Sequence, residues 1–273
     1  MENYHCNLCN SDDYEKIISI TKKPIGETDF KIPPEKYYRE ICKCNNCGVY
    51  FNKHLLLNEN FYNGYYNNAN AMGTLKKRFS KIITLPFADS DNKRRVQRII
   101  KFLIIHNFQL NKCKILDVGS GTGVFLYEMK KKNIQTFCID PDNNSVQHAL
   151  NNIKVDGAYH GTIDNYVSKN KFELITFNKV LEHIKNPIPT LMKAKQFLLA
   201  NGLIYIELPY ADTIFKDKDI EQRSEFFIEH YTIHNKESIK KIAELADLKI
   251  LKVNNVIDPS GKHTIYAFLS HYQ

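Results

Sequence analysis

The sequence has no apolar run of the roughly 18 residues that a membrane-spanning helix needs. Its greasiest stretch, IIKFLIIH (99–106), is short and carries Lys101. The opening MENYHCNLCN has no basic leader followed by an apolar segment, which speaks against a secretory signal and for a cytoplasmic chain. No repeat period or sustained heptad is visible, so solenoids and coiled coils are set aside. Basic residues outnumber acidic ones, 38 to 30, for a net charge of +8, but no dense basic block appears. The excess can attract an anionic substrate, yet it lacks the concentrated footprint of a nucleic-acid binder.

What is present suits a globular protein of 273 residues. Apolar residues make up 43% and charged residues 25%. The length allows one large domain or two unequal ones. We divide the chain into residues 1–75, a cysteine-rich module with a connector, and residues 76–273. The connector, 58–74, is rich in Asn, Gly and Tyr, a composition that breaks regular structure.

From about residue 93 the pattern is regular. Val96, Ile99, Ile100, Leu103 and Ile104 form one stripe of an amphipathic helix. KILDV (114–118), TFCI (136–139), a segment near 153–159, FELITF (172–177) and GLIYIEL (202–208) read as strands. Helices are expected at 123–132, 142–151, 187–199 and 236–246. This alternation predicts an α/β fold, with a mainly parallel sheet covered on both faces. Two further strands, near 247–256 and 263–270, are joined by the turn DPSG (258–261), which suits an antiparallel hairpin at the sheet edge.

The chemistry concentrates in ILDVGSGTGVFL (115–126). Gly119, Gly121 and Gly123 link a strand to a helix, a turn that brings backbone close to a ligand. The spacing is not the G-x-G-x-x-G of dinucleotide sites, and no Walker Lys-Ser/Thr follows. Asp117 before the turn favours a cationic ligand over a pyrophosphate. Asp140, at the end of the second strand, can accept both hydroxyls of a ribose.

ILDVGSGTG resembles the first motif of the class I S-adenosylmethionine-dependent methyltransferases. FELITFNKVLEHIKNP (172–187) resembles the family's fourth strand and following loop, with Glu173 where Asp is more usual. The likeness spans about residues 90–270. It implies a Rossmann-like, seven-stranded, mostly parallel sheet with an antiparallel edge hairpin. It also implies that Asp117, Gly119 and Gly121 cradle the methionyl part of the cofactor, with Ser120 and Gly123 of the same turn among the cofactor-binding residues. Asp140 would bind the ribose, Pro141 would lie against the adenine, and Thr162 and Asp164 occupy the region that meets the adenine amino group. Asn178 would face the cofactor.

Five of the seven cysteines fall within the first 47 residues. Cys6-x-x-Cys9 and Cys44-x-x-Cys47 are two knuckles whose four thiolates can close a tetrahedral structural zinc site. Cys42 and His5 are alternative ligands. Such an ion can supply about 10–16 kcal/mol, enough to fold a module with little core. Cys113 and Cys138 read as small core filler. The paired knuckles and the Tyr-rich FYNGYY (61–66) resemble the zinc-binding, zinc-ribbon-like N-terminal domain attached to sugar methyltransferases of nucleotide-sugar pathways.

Methyl transfer needs an aligned nucleophile and, where required, a base. Candidates are His183, Glu182, His230, Glu229, His234 and Tyr210, the last just past a strand and placed to line the acceptor cleft. EFFIEHYTIHN (225–235) is similar to a stretch of the sugar C-methyltransferases whose His and first Tyr are implicated in catalysis. His230 is kept, Phe227 stands in the Tyr position, and Ile233-His234 replaces a later Tyr-Phe. That departure makes O- or N-methylation as reasonable as C-methylation. The expected acceptor is a small molecule, a sugar or nucleotide-linked metabolite. An RNA methyltransferase and a non-catalytic zinc-ribbon interaction protein are the alternatives. The first lacks an Asp/Asn-Pro-Pro-aromatic motif after residue 177, and the intact turn argues against the second.

Overall fold

The computed structural model describes residues 4–54, 72–213, 215 and 220–272. In chain order its strands are β1 (Tyr14–Ile20), β2 (Arg39–Cys44), β3 (Tyr50–Lys53), β4 (Lys114–Val118), β5 (Gln135–Asp140) and β6 (Gly157–His160). Then come β7 (Phe172–Asn178), β8 (Leu198–Pro209), β9 (Thr232–Ile233), β10 (Lys249–Ile257) and β11 (His263–Ser270). The α-helices are α1 (Met72–Ile83), α2 (Asp91–Ile105), α3 (Val124–Lys130), α4 (Asn143–His148), α5 (Pro187–Lys195) and α6 (Lys236–Leu245).

Seven strands form the main sheet, in the order β10-β11-β8-β7-β4-β5-β6. The five from β8 to β6 run parallel, and the β10–β11 hairpin closes the edge antiparallel. Continuous apolar runs make these strands because both faces are covered. Ile115, Leu174, Leu203 and Tyr205 face α1, α2 and α3. Leu116, Ile175, Ile204 and Ile206 face α5, α6 and the cysteine module. α2 starts at Ser90, whose hydroxyl accepts from Lys93 N at 3.2 Å, and α6 starts with a capping box between Asn235 and Ser238. The turn at 258–261 is closed by Gly261 N on Asp258 O at 2.8 Å.

Several expected boundaries move. The helix expected to reach 199 stops at Lys195, because Leu198 already pairs with Phe172 in the sheet. The strand near 153 begins only at Gly157, since residues 149–153 continue the preceding helix as a π turn. Residues 72–74, assigned to the connector, instead open α1, which buries Leu75 and Phe79 one turn apart. The rest of the connector from residue 58, FYNGYY included, lies outside the described residues.

The cysteine module is built on a second sheet, β1-β2-β3-β9. Its fourth strand is the short Thr232–Ile233 segment, which pairs with Phe51 and Tyr50. No helix among the described residues is long and apolar enough to cross a membrane.

Candidate functional site

β4 delivers Asp117 and then turns sharply. Gly119 and Gly123 hold φ of +73° and +68°. A Cβ on Gly119 would lie 2.7 Å from Val180 Cγ2, and one on Gly123 would lie 2.2 Å from Ile153 Cδ1. Both conformation and space therefore require glycine.

Asp117 Oδ1 accepts from Thr176 Oγ1 at 2.6 Å and from Asn178 Nδ2 at 2.8 Å. Asp140 Oδ2 accepts from Gly121 N at 2.7 Å, and its Oδ1 from Asp142 N at 2.9 Å. Burial pushes the Asp117 carboxyl up to about 7 and that of Asp140 up to about 6, against these hydrogen bonds. Asn178 Oδ1 is buried without a hydrogen-bond partner. Two costly carboxylates and an unmet acceptor thus converge at the carboxyl ends of adjacent parallel strands, the usual ligand crevice of such sheets.

They line a cavity of about 880 Å³. Nine of the ten residues expected at the cofactor line it; Gly123 instead packs on Ile153. The crevice fits S-adenosylmethionine: its side-chain-free turn admits close approach, its carboxylates suit a cation and a ribose, and its volume lies in the ligand-pocket range.

The candidate bases separate. His183 lines the cavity; His230 does not, but packs edge-on against the His183 ring with centroids 4.7 Å apart. His183 Nδ1 donates to Glu229 O at 3.0 Å, and His230 Nδ1 donates to Glu225 O at 2.9 Å. A carbonyl only accepts, so each neutral ring leaves Nε2 as its basic nitrogen. Burial holds the His183 imidazole down to about 4 and that of His230 well below its usual value. Glu182 joins them, with ligand atoms of the three within 4.8 Å of one another, a donor set that a divalent cation also accepts. Burial raises the Glu182 carboxyl to about 7.

Tyr210 and His234 require correction. Tyr210 does not line the cavity; it is 7% exposed, packs in the core, and donates to Asp212 Oδ2 at 3.4 Å. His234 is fully buried, with ring nitrogens on Ser238 and Thr232, so its part is structural.

Two buried networks were not anticipated. Arg95 and Arg98 on α2 converge on Glu207 of β8; Arg95 Nε donates to it at 2.8 Å and Arg98 at 2.9 Å. Burial alone would raise the Glu207 carboxyl, but these guanidinium groups hold it well below the carboxylate range. An acid inside the apolar run IYIEL was the available signal. The second network joins Glu27, Arg39 and Asn52 to the 226–231 segment, and no spacing in the sequence marks it.

Cys6, Cys9, Cys44 and Cys47 bring their sulfurs within 4.8 Å of one another. The Cys6–Cys47 and Cys9–Cys44 separations are 3.6 and 3.5 Å. The edge of a tetrahedral zinc–thiolate site is about 3.8 Å, so this donor set fits zinc. Cys42 and His5 are not part of the cluster. Cys42 is buried in β2, where burial pushes its thiol up to about 11.

Comparisons with known proteins follow the same lines. The chain is 24% identical over 119 residues to the ubiquinone biosynthesis O-methyltransferase of Rickettsia canadensis (strain McKiel), covering 42% of this chain and 50% of that protein. The Rickettsia typhi (strain ATCC VR-144 / Wilmington) counterpart is 23% identical over 120 residues, 42% of this chain and 48% of that one. The chain thus spans about half the length of the curated relatives it matches. Magnesium protoporphyrin IX methyltransferase from Synechocystis PCC 6803, solved with bound SAH, aligns with a TM-score of 0.58 at 11% identity, over 79% of this chain and 100% of that one. An S-adenosylmethionine-dependent methyltransferase from Clostridium acetobutylicum ATCC 824 aligns with a TM-score of 0.54 at 16% identity, over 72% and 99%. At such identities these structures establish the fold alone. A family model described as a methyltransferase domain matches residues 81–253, more than half of the chain, and the chain belongs to that methyltransferase family.

Proposed function

We propose that this chain is an S-adenosylmethionine-dependent methyltransferase acting on a small molecule, a sugar or nucleotide-linked metabolite. The observation that carries the reading is the paired, buried carboxylates of Asp117 and Asp140 flanking the glycine turn. When bound, S-adenosylmethionine supplies a methyl carbon already activated by its sulfonium. Asp117 and Asn178 would hold the amino-acid end, and Asp140 would hold the ribose. The cavity walls keep donor and acceptor aligned. The His183/His230 pair removes the acceptor's proton at an Nε2 atom, with His230 as the assigned base. The Cys6, Cys9, Cys44 and Cys47 thiolates would hold a structural zinc ion.

The acceptor is tested with a methyl-donor assay over nucleotide-sugars, sugar phosphates and hydroxylated quinone precursors, read by the mass increase of one methylation. Methylation of the quinone precursors alone overturns the sugar assignment. Loss of turnover with intact cofactor affinity in His230→Ala supports the base; full activity in that variant removes it, and His183→Ala run in parallel shows which ring acts.

A further inference from the structure

Arg39, at the start of β2, is fully buried, and its guanidinium is spread over four partners. Nε donates to Tyr37 Oη at 3.0 Å, one Nη to Glu27 Oε1 at 3.0 Å, and the other to both Asn52 Oδ1 and the Phe226 carbonyl at 2.6 Å. Asn52 in β3 uses its amide to donate to the Phe227 carbonyl at 3.1 Å and to the His230 carbonyl at 2.7 Å. Glu27 Oε1 also accepts from Ile228 N at 2.7 Å. Asn52 N donates to Tyr231 O at 3.2 Å. Three side chains of the cysteine module therefore grip the backbone of 226–230, and that stretch carries His230 and borders the Glu229 carbonyl that orients His183.

The grip is tied to the knuckle. β2 ends at Cys44, and Cys44 N bonds to Val49 O at 2.9 Å, so Cys44–Cys47 lies in the turn of the hairpin holding both Arg39 and Asn52. A buried guanidinium is costly to desolvate and is kept where its geometry specifies an arrangement. Here that arrangement is irregular backbone rather than a helix or strand.

We propose that Arg39 and Asn52 are positioning residues for His230: through the β2–β3 hairpin, the four-cysteine module fixes the 226–231 backbone and so sets where the imidazole points. The significance of this rests on His230 being the base, but the positioning itself is measured without turnover.

Diethyl pyrocarbonate acylates the unprotonated imidazole nitrogen, and peptide mass spectrometry reads its rate at each histidine in the full chain as purified. Asn52→Asp keeps the oxygen that accepts from Arg39 and removes both donors to the Phe227 and His230 carbonyls. At about a fivefold effect per net hydrogen bond, the His230 rate is expected to rise about 25-fold. The rate at His148, a buried ring elsewhere in the fold, is expected to stay unchanged, as is the affinity for S-adenosylhomocysteine. Arg39→Lys, which retains the charge but loses the fork, is expected to act in the same direction. An unchanged His230 rate, or an equal rise at His148, overturns the proposal.

If neither variant folds, hydrogen exchange of the wild-type chain decides. Amides of 226–231 are expected to exchange as one unit with the β2–β3 hairpin; exchange about a hundredfold faster than the hairpin overturns the proposal. Retained turnover in His230→Ala would remove the base while leaving these acylation and exchange results standing.

Discussion

Asn52 donates its side-chain amide to the carbonyl of His230 at 2.7 Å, across 178 residues of sequence. One short bond thus links the strand after the second cysteine knuckle to the loop behind the cavity. It ties a module remote from the glycine turn to the segment that carries His230.

Removing the second carboxylate should separate binding from folding. Asp140→Ala removes the acceptor of Gly121 N and of the buried Asp142 N, and leaves the apolar sheet core in place. We expect S-adenosylmethionine affinity to fall about 10–100-fold by isothermal titration, the range for losing a charged hydrogen bond, with the chain still folded. Unchanged affinity removes Asp140 from the site.

Acid should weaken the same binding. Asp117 and Asp140 have carboxyls pushed up to about 7 and about 6, so the ligand-free protein carries protons on them in mildly acidic solution. A cationic ligand favours the ionised forms, so binding releases protons and affinity falls as pH drops from 8 to 5.5. The folding linkage runs the other way: raised carboxylate values mean the folded chain binds more protons than the unfolded one, so these two groups favour the ligand-free fold more as pH falls from about 7 towards 4. Titration in buffers of different ionisation enthalpy near pH 6.5 checks the proton release.

Glu207→Gln should be among the most damaging single changes. It leaves Arg95 and Arg98 facing a neutral amide in a buried site. Removing one partner of a buried ion pair costs about 3–5 kcal/mol, and for a chain of this size that lowers the thermal midpoint by about 10 °C. Differential scanning calorimetry reads it.

The cysteine cluster predicts stoichiometric metal. Purified protein should contain one zinc ion per chain by plasma mass spectrometry, and Cys47→Ser should lose it together with thermal stability. Because Cys47 follows β2 in the hairpin turn, the loss should also speed acylation at His230. Metal content unaffected by Cys47→Ser disproves the four-thiolate assignment.

The main sheet was legible because its parallel strands are continuous apolar runs and its ligand turn is spelled by glycine spacing and two flanking acids. DPSG announced the edge hairpin. The small sheet was not: REICKC mixes charges with cysteines and YFNK is only four residues long, so no clean alternation marks β2 or β3, and β9 is only two residues long. α1 was hidden because Met72-Gly73-Thr74 follows a helix-breaking stretch. Tyr210 was misplaced because strand ends look alike in sequence; only the pairing of its amide with His263 O shows that it continues into the core. The grip of Arg39 and Asn52 on the 226–230 segment has no sequence signal because the carbonyls they hold there lie 175–187 residues away and are backbone atoms, which leave no trace in residue identity.

That β9 completes the β1-β2-β3 sheet has a consequence for biosynthesis. The amino-terminal strands leave the ribosome first, yet the strand that covers the open edge of β3 arrives only after the parallel sheet has been made. During translation that edge is bare and able to pair with a neighbouring nascent chain. Early capture of an ion by the two knuckles would hold the hairpin compact through that interval.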